Sequence, residues 1–122
     1  MTPHDPVSGR GVDARRERVV EFLGAQDGPA ERELKTALCA VLARYPAIDR
    51  AYLARVGFGR EAPATVALCL ASRITNDQHL LAEIEATFRP MFNGGMVLDI
   101  LFLRQGQEPD LQKVCPQFYP GT

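Results

Sequence analysis

An α+β domain is predicted by three features of the chain: an antiparallel sheet of three to four strands, with two main helices on one face. The first is the stretch Arg50 to Ser72, where apolar residues alternate. Tyr52, Ala54, Val56 and Phe58 share one side with Leu53 and Arg55 opposite, and Val66, Leu68 and Leu70 oppose Thr65, Ala67, Cys69 and Ala71. A period of two is that of a pleated strand. Gly57, Gly59 and Pro63 bracket Arg60-Glu61 between the two runs, which is turn chemistry, so the pair reads as a hairpin. The second feature is a helical period on either side of that hairpin, at Leu34, Leu38, Val41, Leu42 and Tyr45 and again at Leu80, Leu81, Ile84 and Phe88. The third is Met96 to Leu103, the most apolar run in the chain, entered through the reversal Asn93-Gly94-Gly95.

Taken in order, residues 1–14 carry Pro3, Pro6, Gly9 and Gly11 and almost nothing apolar, the composition of a disordered leader. Residues 15–122 then form one domain. Arg15, Arg16 and Arg18 read as a solvated edge. Val19 to Leu23 is a strand ending at Gly24 or the last turn of a helix, and its β-branched residues favour the strand. The first helix starts at Pro29, a residue suited to the first helical position, and Pro46 stops it. Thr75-Asn76-Asp77-Gln78 has the spacing of a capping box for the second helix, with Glu83 and Glu85 facing water and Pro90 at its end.

In the last strand Met96, Leu98, Ile100 and Phe102 point one way and Val97, Asp99, Leu101 and Leu103 the other, so either both faces are covered or the outer one meets a partner. Gln105 to Pro109 reads as a loop, and Asp110 to Cys115 as a helical turn or two closed by Pro116. Phe118 and Tyr119 then pin the tail. The order is (β)αββαβ with a short C-terminal helix. If Val19 to Leu23 is a strand, that order is the split β-α-β sequence of a ferredoxin-like sandwich.

Composition excludes several classes of function. The net charge of 122 residues is -1, whereas a nucleic-acid-binding domain is usually basic. No apolar run is long enough to cross a bilayer, and residues 1–11 have no apolar core of a secretory signal, so a cytoplasmic location without membrane contact is expected. Three cysteines without a Cys-x-x-Cys spacing argue against a disulfide framework and a zinc site, and Cys39 and Cys69 fall at packed positions.

Several pieces together resemble the C-terminal domain of the SseB family, the bacterial enhanced-serine-sensitivity proteins. They are Ala51-Tyr52-Leu53-Ala54 after Pro46-Ala47-Ile48, the strand Val66-Ala67-Leu68-Cys69-Leu70, the strand Leu98-Asp99-Ile100 and the pair Phe118-Tyr119. The likeness spans residues 18–119. It departs from the family in lacking the N-terminal domain and in placing Gln117 between Pro116 and the aromatic pair. The resemblance implies a cytoplasmic accessory domain and carries no catalytic residues.

No catalytic, metal or cofactor site is expected. His4 and His79 have no acidic or thiol ligand set, and Ser8 and Ser72 lack a nucleophile motif. Gly57-Phe58-Gly59 lacks the third glycine of a phosphate loop and precedes a strand, and Glu83 and Glu85 diverge on their helix. Asp99 stands out, because a carboxylate inside so apolar a strand must be hydrogen-bonded, paired or exposed. A non-catalytic interaction or regulatory module is therefore expected, contacting a protein partner through Asp99, Val97, Leu101, Leu103 and Ala67. A homodimer through the same face is the related expectation, with a monomer as the alternative if the segment Asp110 to Cys115 folds over that face. A small-molecule, amino-acid-binding domain with a ferredoxin-like fold is the alternative.

Overall fold

The computed structural model describes residues 20–59, 63–75, 77–92 and 97–120. The elements run β1 (Glu21–Ala25), α1 (Pro29–Leu42), β2 (Ile48–Gly57), β3 (Thr65–Ser72), α2 (Gln78–Phe88), β4 (Leu98–Phe102) and α3 (Gln107–Gln112). The expected α+β class and βαββαβ order with a short C-terminal helix are present. Of the stretch Val19 to Leu23, the part from Glu21 on is strand and runs to Ala25 through an irregularity between Phe22 and Gly24, while Val19 lies outside the described residues. The leader, the hairpin turn at Arg60-Glu61 and the reversal at Asn93-Gly94-Gly95 lie outside the described residues.

The sheet has four strands in the order β1-β2-β3-β4. Its first two pairings are antiparallel and β3–β4 is parallel, so the sheet is mixed where an antiparallel one was expected. Parallel neighbours cannot be joined by a hairpin, and α2 supplies the return path between them. In a split β-α-β unit another strand lies between the two strands that the helix joins. Here both helix-joined pairs are direct neighbours, which corrects the ferredoxin-like expectation.

The β1–α1–β2 passage is antiparallel for a reason of length. Ala25 pairs with Ala54, while β2 begins at Ile48. The strand from Ile48 to Ala54 covers about 20 Å, and a helix of the length of α1 covers about 21 Å, so α1 carries the chain past the end of β1 before β2 returns beside it. The edge of β2 left beyond β1 is taken by the tail. Ala51 donates its N–H to the Tyr119 carbonyl at 3.0 Å, and Phe118 donates to the Ala51 carbonyl at 2.9 Å. The aromatic pair pins the tail as expected.

Strand alternation sorts the core into two layers. Leu34, Leu38, Val41 and Leu42 of α1 and Leu80, Ile84 and Phe88 of α2 pack on Leu53, Leu68, Leu70, Leu98 and Ile100. Both main helices therefore lie on one face, as their stripes require. On the opposite face Tyr52, Ala54, Val56, Ala67 and Cys69 are buried beneath Leu111 and Cys115, from α3 and the turn after it. Full burial of a leucine or phenylalanine contributes on the order of 1.5–3 kcal/mol, so the first layer carries most of the stabilisation.

Three local expectations change. The cap of α2 is Asp77, whose carboxylate accepts the Leu80 N–H at 3.1 Å, so the helix begins later than a Thr75 capping box would place it. Glu83 does not simply face water: it accepts from the Tyr45 hydroxyl and pairs with Arg44, tying α2 to the end of α1. Pro109 lies in the first turn of α3 and not in a loop; a proline fits there because the first helical N–H groups have no intrahelical acceptor.

Candidate functional site

Arg50 and Tyr52 are two residues apart on β2, so both point to the face that α3 covers. Glu108 and Gln112 are four apart on α3, so both point back toward β2. The four meet in one cluster. Glu108 takes a two-pronged contact from the Arg50 guanidinium, Nε to Oε2 at 2.5 Å and Nη2 to Oε1 at 3.0 Å. The Tyr52 hydroxyl donates to Oε2 at 2.5 Å, and Gln112 donates its amide to the same hydroxyl at 2.9 Å. Fork-on-fork pairing of this kind is among the stronger hydrogen-bonded contacts in proteins.

The electrostatics follow from the geometry. Hydrogen bonding from Arg50 holds the Glu108 carboxyl below the usual carboxylate range, against the opposing effect of burial. Arg50 is held the more firmly protonated by the same contact. Burial, reinforced by donation to Glu108, pushes the Tyr52 phenol up. A carboxylate committed to three donors is a poor base at neutral pH, so the cluster works as a clasp between β2 and α3.

An open cleft of about 330 Å³ lies beside the clasp, between the ends of β2 and β3 and the β4–α3 loop. Asp49, Arg50, Ser72, Arg104 and Glu108 supply its polar wall and Leu103 part of its apolar one. Gly106 closes the loop with φ 92°, a left-handed conformation that favours glycine.

The residues expected to contact a partner fall in different surroundings. Val97 is 62% exposed just before β4. Asp99, half-buried, accepts from the Thr65 hydroxyl at 2.9 Å, which satisfies the requirement for a polar partner. Leu101 and Leu103 are half-buried at the margin of the layer under α3. Ala67 is fully buried there and has no access to solvent while α3 is seated. Leu103 alone of the five reaches the cleft.

Arg50, Glu108 and Gln112 were not singled out from the sequence. The signal was present in the polar pair on alternate strand positions and the polar pair one helical turn apart, but nothing local couples positions that are 56 to 60 residues from each other.

Elsewhere His79 is exposed on α2, and Ser72 exchanges hydrogen bonds with the backbone of Ile74. His4 and Ser8 lie outside the described residues. Among the described residues no group of three or more His, Cys, Asp or Glu side chains could hold a metal ion, and no helix is long and apolar enough to cross a membrane. No family model, curated protein or solved structure matches this chain.

Proposed function

We propose that this chain is a non-catalytic protein-interaction or regulatory module that receives its partner along β4. The reading draws on the resemblance to the SseB C-terminal domain, and with it a cytoplasmic setting tied to amino-acid metabolism or to a secretion or effector system. The observation that carries it is the state of the β4 edge. Among the described residues β4 pairs only with β3, leaving one side of its backbone without a strand. Val97 is exposed beside it, and Leu101 and Leu103 are only half covered. An open edge flanked by apolar side chains suits an added strand, with backbone hydrogen bonds for affinity and side chains on alternate positions for selectivity. The test is affinity capture from a bacterial lysate with wild type and Val97→Lys, both checked for folding by circular dichroism. A partner kept by the wild type and lost by the variant supports the assignment. Identical capture by both, or no capture across several conditions, removes it.

Amino-acid binding has one observation in its favour. The cleft wall carries both arginines and carboxylates, the pairing that a zwitterion requires, although Arg50 and Glu108 already engage each other. Calorimetry with serine and related amino acids at millimolar concentration decides it, and a flat titration across the set ends it.

A further inference from the structure

The two layers of the core are held in unequal ways. Beneath α1 and α2 the helices themselves bring seven buried side chains to one continuous layer. On the other face the segment from α3 to the tail brings only Leu111 and Cys115 as buried side chains. α3 is six residues long, and a helix of that length is not stable without its packing. Its remaining attachments sit near its two ends: the polar clasp of Glu108 and Gln112 on Arg50 and Tyr52, and the tail, where Tyr119 pairs with Ala51, Phe118 and Tyr119 pack on the layer under α1, and the Tyr119 hydroxyl donates to the Leu42 carbonyl. Gly106, in its left-handed turn with open space around its Cα, stands where the segment leaves the sheet.

From this asymmetry we propose that residues 107–117, between Gly106 and the pinned pair Phe118-Tyr119, form a cover that opens as one unit while α1, α2, the sheet and the tail stay folded. Opening uncovers the face of Tyr52, Ala54, Ala67 and Cys69. Segments with few buried apolar contacts and exposed hydrogen bonds open at lower free energy than the global transition, and contiguous units do so cooperatively. Two thiols report the event. Cys69 is fully buried beneath the cover, and Cys115 is buried within it, donating to the Leu53 carbonyl at 3.5 Å. The device goes beyond the proposed interaction along β4 and does not depend on it, because it concerns how the opposite half of the sheet face is gated.

The experiment is thiol labelling of the folded full chain by an aromatic disulfide reagent across low urea concentrations, in a Cys39→Ala background, since Cys39 is only half-buried. Local opening predicts that Cys69 and Cys115 react at one shared rate, far above that of global unfolding, with a weak urea dependence because little surface is exposed. Glu108→Gln removes a charge-assisted contact and should raise both rates about tenfold. Labelling of both thiols with the full urea slope and free energy of global unfolding overturns the proposal, as does labelling of one thiol without the other. Amide exchange of the wild type separates the same two cases without any substitution. Residues 107–117 exchanging together and well ahead of α1 supports the cover, and exchange of both only through global unfolding refutes it.

Discussion

Glu108 accepts from two β2 side chains through both carboxylate oxygens, and its titration makes the clasp measurable. Its pKa is lowered on folding, chiefly by Arg50. A group with a depressed folded pKa contributes stability that is fully present above the ordinary carboxylate value, about 4.3, and lost as pH falls through the folded value. Glu108→Gln should therefore cost about 1–2 kcal/mol at pH 7, at the lower end for a charged hydrogen bond because Arg50 is partly exposed. The gap from wild type should close on acidification toward pH 2.5, as followed by urea midpoints. A gap independent of pH would mean that the carboxylate charge is not what holds α3. Tyr52→Phe should cost about 1 kcal/mol, and a double-mutant cycle with Glu108→Gln should give a non-zero coupling because the two groups share one hydrogen bond.

Between elements the ranking of effects follows burial. Leu38 in α1 and Leu68 in β3 have no exposed surface and meet in the same layer. Truncating either to alanine should cost about 2–5 kcal/mol by chemical denaturation, the sum of lost transfer energy and the cavity left behind. Near-neutral values for both would mean that the layer is not the core. The α2 cap offers a smaller test, since Asp77→Ala leaves the Leu80 N–H without its side-chain acceptor. A loss of about 0.5–2 kcal/mol is expected, read from the thermal midpoint. Why α2 starts there is also physical: the side chain that reaches the N–H of the third helical residue defines the cap, and Asp77 does so one residue ahead of Gln78.

At the scale of the molecule, α3 decides what the second sheet face is. With Leu111 seated over Ala67 and Cys69, the middle of that face is interior, and only the strip from Val97 to Leu103 stays at the surface or half covered. Sedimentation of the wild type is accordingly expected to give a monomer, with Leu101→Glu markedly destabilised and Val97→Lys close to wild type. A dimer that Leu101→Glu converts into a folded monomer would instead identify the strip as a self-association surface.

The period of the apolar residues was enough to place both main helices, the β2–β3 pair and β4, because helix and strand periods are local properties of a dozen residues or fewer. The common face of α1 and α2 was legible for the same reason: each stripe needs the same sheet to bury it. Strand order and direction were not, since β4 is apolar on both sides but for Asp99, whichever way it runs. Its parallel pairing was settled by the path of α2 and the register against β3. The same holds for the clasp. Arg50, Tyr52, Glu108 and Gln112 are ordinary as separate letters, and become a site only when α3 folds back across the sheet and a carboxylate leaving water must find its donors.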